Sequence, residues 1–384
     1  MMNYIHYGAQ FIDKDDLRAV ERSLKQDLIT TGPKILEFEK KNNLFLKSKY
    51  STVCSSGTAA IHLALLSLNL PKRATVVMPS INFISAFNLC NKLDLRIYLS
   101  DVDKFTGQMT PTLMEDCIKK NKLKKVDLLI TMFLGGFSEN TIEFHQLKKK
   151  YKYKIIEDAC HAYGSSYIYK KKIYKVGECK HCDLSTFSFH PLKTITTGEG
   201  GLVSTNSKKY YDRLNNLRSH GIKRNPKYHW KYDVIENGLN YRISDANCAL
   251  GLSQLKKINQ FILKRKKIYQ YYLKELNKNT SLIKFPNYSK NIFSSYHLAI
   301  LHIDFKKLKK KKDAFLKFMV QKKIILQYHY IPIYKFKIGS KFKGSFRNAE
   351  TYYKNTVSLP IHYNLSVKDQ DRVIKEIKIF INRK

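Results

Sequence analysis

The sequence predicts an α/β protein with a mostly parallel central sheet flanked by helices, followed by a smaller α+β C-terminal domain. Three observations carry this. Short apolar strands recur with helical segments between them through the first half, the pattern that right-handed crossovers and a parallel sheet require. Beyond about residue 245 the pattern changes to long basic helices flanking short strands. The 384 residues exceed what one core comfortably holds, so two domains are expected, 1–245 and 246–384.

The elements follow in order. "LRAVERSLKQDL" has helical spacing; "TTGP" breaks it, and Pro33 suits the first turn of the helix "KILEFEKKNNLFLK". "STVCSSGTAAIHLALLSLNL" is a strand, a Ser-Ser-Gly-Thr turn and a buried helix. "TVVMPS", "RIYLSDVD", "VDLLITMF" and "KIIEDA" are strands, with helices such as "ISAFNLCNKL", "PTLMEDCIKKN" and "TIEFHQLKKKY" between them. After residue 243 come the long helical stretch "SDANCALGLSQLKKINQFILKRKKIYQYYLKEL", the strands "YHLAILHID" and "IILQYHYIP", the helix "KKDAFLKFMVQKK" between them, and a last helix capped by Ser366 and Asp369.

Bulk properties narrow the class. A mean hydropathy of −0.40 describes a water-soluble chain, no apolar run reaches membrane-span length, and the N-terminus lacks a signal peptide's regions. Seven scattered cysteines are no disulfide framework, so a cytoplasmic location is expected. The net charge of +39 raises nucleic-acid binding as an alternative. Yet 58 of the 70 basic residues are lysine and not the guanidinium fork that reads bases and phosphates. The lysines are spread along the chain, clustered only on stretches such as "KKLKKKKD" at 306–313. With Tyr, Ile, Asn and Phe also abundant, the charge reads as compositional drift, with no nucleic-acid and no membrane partner. "CKHC" at Cys179 and Cys182 lacks a second ligand pair, so no metal is expected.

The chemistry concentrates in two stretches, "EDACHAYG" and "FSFHPLKTITTGEGG". Lys193 lies among apolar, hydroxylic and glycine residues, where desolvation lowers an amine's pKa. Asp158 ends an apolar strand, where a carboxylate needs a cationic partner or a helix to cap. A lysine amine, a strand-end carboxylate and nearby hydroxyls are what pyridoxal 5'-phosphate (PLP) asks of a protein. The Ser55–Thr58 turn at a helix start suits a phosphate, and Ser188 can add a hydroxyl. His161 is either a satisfied core histidine or a ring contact. In a parallel sheet, Ser55–Thr58, Pro79–Phe83 and Asp158–His161 all fall beyond the carboxyl ends of strands and converge there. The dinucleotide fingerprint GxGxxG is absent from the sequence.

"TTGPKILEFEKK", "SSGTAAIHLAL", "PSINFISAFN", "EDACHAYGS", "FSFHPLKTITTGEGG", "LRSHG" and "GLNYRISDANCALGLSQL" occur in an order that resembles the DegT/DnrJ sugar aminotransferases, fold type I PLP enzymes, over nearly the whole chain. The resemblance implies a PLP-dependent transferase in which Lys193 is the catalytic, PLP-linked lysine and Asp158 pairs with the pyridine nitrogen. It implies that Phe83 stacks on the ring, that His161 touches it, and that Gly57, Thr58 and Ser188 hold the phosphate. Asn240 would reach the phosphate of a neighbouring subunit in a homodimer with shared active sites. Relatives with histidine in place of the lysine dehydrate their substrates, so Lys193 indicates transamination, with L-glutamate as donor and ping-pong kinetics. "IILQYHYIPIYKFK" and "AETYYKNTVSLPIHYNLS" are similar to the family branch serving pseudaminic acid biosynthesis. That implies amination at C4 of a UDP-linked 4-keto-6-deoxy N-acetyl hexose. Tyr7, Asp27, Leu28, Ile29, Thr30, Gln327, Tyr328, His329 and Tyr330 would then line the substrate site. Another nucleotide keto-sugar (3-keto or dTDP-linked) and a non-catalytic nucleic-acid-binding relative are the alternatives. For the donor carboxylates the residues offer Arg218, Arg242 and His329.

Overall fold

A computed structural model describes residues 3–228, 230–277, 282–342 and 344–383. Its centre is a seven-stranded sheet of β1 (Tyr50–Cys54), β2 (Thr75–Pro79), β3 (Arg96–Ser100), β4 (Leu128–Met132), β5 (Lys154–Asp158), β6 (Leu184–Ser188) and β7 (Gly201–Thr205). The spatial order is β1-β7-β6-β5-β4-β2-β3. β2 to β6 pair in parallel, while β7 runs antiparallel to both β6 and β1. β1 therefore points the same way as β2–β6, and only β7 is reversed. The carboxyl ends of six strands share one edge with the start of β7, where Gly201 lies in register with both Cys54 and Ser188. The expected α/β class and mostly parallel sheet are what the structure has.

Helices cover both faces. α1 (Lys14–Leu24) and α2 (Pro33–Leu46, with Pro33 in its first turn) open the chain. α3 (Gly57–Leu68), α4 (Ile84–Lys92), α5 (Pro111–Lys120), α6 (Thr141–Tyr151) and α7 (Lys208–Arg218) follow between strands. Strand side chains alternate between faces. Thus Leu128 and Ile130 pack with Ile61, Leu65 and Phe87, while Leu129 faces Met114, Ile118 and Phe144. α3 is buried on nearly all sides, which explains its lack of a polar stripe.

The long helical stretch after residue 243 is two helices, α8 (Asp245–Lys256) and α9 (Ile258–Asn277). The Asp245 carboxylate accepts from the Gly32 and Lys34 amides, both at 2.8 Å, tying the start of α8 to that of α2. Beyond α9, a three-stranded antiparallel sheet of Ile283–Lys284, Ala299–Ile303 and Thr356–Leu359 packs under α9, α10 (Lys312–Gln321) and α12 (Val367–Asn382). Ser366 and Asp369 form the capping box of α12, with α11 (Arg347–Asn355) just before the last strand. "IILQYHYIP" is not the regular strand its alternation suggests. It makes only isolated bridges, Ile324 to Ile5 and Gln327 to Ser358, because Pro332 ends any ladder and the intervening side chains turn into a cavity at the large sheet's edge.

Candidate active site

A cavity of about 660 Å³ opens at the shared strand edge. Lys193, Asp158, His161, Ser188, Gly57, Thr58 and Phe83 line it, together with Tyr7, Gln327, Tyr328, His329 and Tyr330. Residues distant in sequence meet there because five strand ends and the 327–331 segment converge.

The phosphate-like corner is built by close packing. The Ser56 hydroxyl accepts from the Ala59 amide at 3.1 Å, capping α3 and leaving the Gly57 and Thr58 amides at the open helix end. A Cβ on Gly57 would sit 2.7 Å from that of Ser188, and one on Gly201 only 2.2 Å from the Ser56 carbonyl oxygen. Both glycines are required by approach distance, and together they bring the helix end against Ser188. The corner presents amides, hydroxyls and a helix dipole, a donor set for a phosphoryl group.

Asp158 is buried at the end of β5 and accepts from the Cys160 amide at 3.3 Å. The chain beyond it enters a turn, not a helix to cap, and no lysine or arginine among the described residues forms an ion pair with it. Burial raises its carboxyl above the usual range, against the Cys160 hydrogen bonds and the Lys193 charge. Such a carboxylate awaits a cation. Beside it lies the buried Asn82 carboxamide, close enough to help hold the Asp158 charge but with neither polar atom in a full hydrogen bond. These two side chains fit a cationic heterocycle.

Lys193 sits in a turn braced by its own amide to the His190 carbonyl (2.9 Å), by the Thr196 hydroxyl to the Phe189 carbonyl (3.0 Å) and by the Thr197 amide to that same oxygen (3.0 Å). Desolvation lowers its pKa most; Cys160 and Asp158 oppose this and Arg265 adds to it. The amine is thereby brought toward the neutral, nucleophilic form.

Across from it lies a wall of histidines. The rings of His161 and His297 are 4.2 Å apart, and those of His161 and His329 6.1 Å. Burial, then Lys193 and the neighbouring rings, holds His161 and His297 well below the ordinary imidazole range. His329 is pushed down to about 3 by burial and Lys193. The Gly135 amide donates to His161 Nδ1 at 3.4 Å, leaving the ring proton on Nε2, 2.9 Å from the Tyr330 hydroxyl. The Tyr330 proton is then free for a ligand, and burial keeps it bound to its oxygen. Phe83 is half-exposed, its ring 5.7 Å from that of Tyr330.

Not every expected residue meets this cavity. Asp27, Leu28, Ile29, Thr30 and Asn240 lie outside it on the surface; Thr30 pairs with Ser244 and Asn240 with Ser219. Arg218 is corrected as a donor-carboxylate candidate: its guanidinium is committed to Glu39 at 2.5 Å and to the Val53 carbonyl at 2.8 Å. Arg242 lies at the Ser219 hydroxyl, 3.2 Å away, outside the cavity lining. Cys179 and Cys182 pack around the Ser185 hydroxyl, and no group of three or more potential metal ligands occurs among the described residues. Asn82, Cys160 and His297 line the cavity without having been singled out. Asn82 lay within the Pro79–Phe83 cluster; His297 carried no local signal, being the second residue of an apolar run.

The DegT/DnrJ/EryC1/StrS aminotransferase family model matches residues 10–378. A Campylobacter jejuni UDP-4-amino-4,6-dideoxy-N-acetyl-beta-L-altrosamine transaminase is 36% identical over 369 residues, covering 95% of this chain and 94% of that protein. Bacillus subtilis spore coat polysaccharide biosynthesis protein SpsC is 26% identical over 388 residues, covering 98% of this chain and 97% of its own. The structure of Helicobacter pylori PseC, an aminotransferase involved in the biosynthesis of pseudoaminic acid, superposes with a TM-score of 0.88 at 26% identity, covering both chains in full. The chain belongs to the DegT/DnrJ/EryC1/StrS aminotransferase family.

Proposed function

We propose that the protein uses PLP to move an amino group from L-glutamate to C4 of a UDP-linked 4-keto-6-deoxy N-acetyl hexose, giving UDP-4-amino-4,6-dideoxy-N-acetyl-β-L-altrosamine. The observation that carries this reading is a desolvated lysine facing a buried carboxylate without a cation, in a cavity walled by neutral histidines. The relative of that name, with matching length, supports the sugar.

PLP, when bound, supplies an electron sink for the carbon that gains or loses the amine. The chain does the rest. Asp158 would hold the proton on a pyridine nitrogen, with the Asn82 carboxamide beside that carboxylate. Gly57, Thr58 and Ser188 hold the phosphate, and Phe83 covers the ring. Lys193, as a neutral amine, would hold the cofactor and take up and return a proton at its Nζ. Tyr330, held by His161, offers its hydroxyl proton to the sugar, beside Tyr7, Gln327, Tyr328 and His329.

Asp27–Thr30 and Asn240 belong to this reading through a second copy. They are exposed next to apolar side chains, Leu28, Ile29 and Leu239 among them, and in a homodimer they complete the partner's cavity. The lobe boundary, expected after residue 245, we place within α9. Cys248, Ile258 and Phe261 bury with the large sheet's helices, whereas Ile268 and Tyr272 bury with the small sheet. A reducing cytoplasm suits the seven unpaired thiols.

Purified protein given PLP is expected to turn yellow and to carry a borohydride-reducible link at Lys193. A protein that takes up no PLP overturns the cofactor. For the acceptor, glutamate is offered with UDP-4-keto sugars of the altro and gluco series and a dTDP-linked 4-keto sugar. Amination of only the gluco or dTDP sugar overturns the assignment.

A further inference from the structure

Arg265, in the middle of α9, is 3% exposed. Its guanidinium donates to the Ile361 carbonyl at 2.9 Å and the His297 carbonyl at 3.3 Å. Among the described residues it forms no ion pair. An arginine buried without a carboxylate is costly, several kcal/mol for the desolvated charge, and two carbonyls could be bridged by neutral donors. Its surroundings keep the charge unpaired: the histidines on either side, His297 and His362, each have a buried Nδ1 without a hydrogen-bond partner.

The place of this charge is informative. Arg265 and Lys193 line the same narrow space behind the cavity wall, about 10 Å³, with Thr194, Thr196, Gln254 and Phe261. The two side chains thus bound one space about the size of a single water, where the field between them is screened less than in bulk solvent. Arg265 also carries the turn that presents His297 to the cavity, through the His297 carbonyl.

We propose that Arg265 is a positioning residue of the active site, which disfavours the ammonium form of Lys193 from behind and fixes the His297 side of the cavity. The groups facing Lys193 are Asp158 and Cys160, which favour its charge, and Arg265, which opposes it; His161, His297 and His329 face it as neutral rings. Desolvation is the main cause that brings the amine toward its free form, and Arg265 adds to it against Cys160 and Asp158. The direction of the Lys193 pKa agrees. This inference rests on reading Lys193 as the reacting amine, but its test needs no PLP.

The test is competitive labelling of the apoprotein with a trace of acetic anhydride between pH 7 and 10. Lys193 is read by peptide mass spectrometry against the exposed Lys72 of the same molecule. In Arg265→Met the Lys193 labelling rate near pH 8 falls about threefold or more, the effect of half a pKa unit, and its pH profile moves to higher pH. Arg265→Lys, which keeps the charge, retains the wild-type profile. Arg265→Gln keeps donors for both carbonyls without the charge, and gives the same fall should the methionine variant not melt cooperatively. An unchanged Lys193 profile in a folded Met or Gln variant overturns the proposal. So does a lysine variant that behaves like the glutamine one. If PLP fails to bind while the profile shifts as stated, the cofactor reading fails alone.

Discussion

The wall of the cavity supplied by the large sheet and the wall supplied by the small lobe hold their side chains by different means. Asp158 and Ser188 stand at the ends of regular, laddered strands and Gly57 at a capped helix start. His329 and Tyr330 stand on irregular backbone. They are fixed one contact at a time: His329 Nδ1 to the Ser358 hydroxyl at 2.8 Å, the Tyr352 hydroxyl to the His329 carbonyl at 2.9 Å, Tyr330 to His161. The first wall is rigid because many bonds share its position. The second can change shape by trading a few side chains.

Substitutions can break or sharpen this contrast. Lys193→Ala is expected to cost about 10⁴-fold in turnover, the upper range of a lost proton-transfer group, measured by single-turnover amine transfer. Asp158→Asn keeps the shape but not the charge, and should lower kcat about a hundredfold, the scale of a lost preorganised electrostatic contact. A small-lobe change with a larger kcat effect than these two would dissolve the contrast.

Beneath the cofactor wall, Glu157 is buried against Ser185, and burial raises its carboxyl to about 7 from the usual 4.5. Because the folded pKa is raised, its contribution to stability is fully present below about pH 4.5 and is lost as pH rises through about 7. The loss approaches about 3 kcal/mol. Denaturant melts at pH 5 and 8 should therefore differ, and Glu157→Gln should flatten the difference; equal slopes in both proteins would contradict this role.

Gly57→Ala puts a methyl against Ser188, so PLP affinity should weaken about tenfold and stability fall by about 1–3 kcal/mol, read by cofactor titration and thermal melts. Tyr330→Phe leaves the His161 Nε2 proton unpaired at a cost of about 1–3 kcal/mol in stability. It should raise the sugar KM while leaving the glutamate half-reaction nearly intact. Equal losses in both half-reactions would place Tyr330 on the cofactor side of the contrast.

The same difference explains what the sequence made legible. Asp158 follows an apolar strand, Ser56 precedes an apolar helix and Lys193 sits in a glycine-rich turn. Each signal is local, so the site's large-sheet wall could be read before any fold was known. His297 and Arg265 offered no such signal. Each lies in an ordinary apolar or basic run, and its position in the site exists only because α9 and the Ala299–Ile303 strand pack behind Lys193. "IILQYHYIP" was misleading for the opposite reason. Its alternation is strand-like, but a single pairing at Gln327 is all the neighbouring strand offers. The surface positions 27–30 and Asn240 line no part of this chain's own cavity.

One consequence of the sheet order concerns the ribosome. β1 leaves early but lies at the sheet's edge beside β7, whose residues Gly201–Thr205 are synthesised far later. Until then the side of α3 that packs on β6, β7 and α7 in the finished protein stays uncovered. At translation rates of about 5–20 residues per second, the nascent chain carries a half-covered apolar helix for roughly ten seconds. The sheet is complete only when β7 slots between β1 and β6.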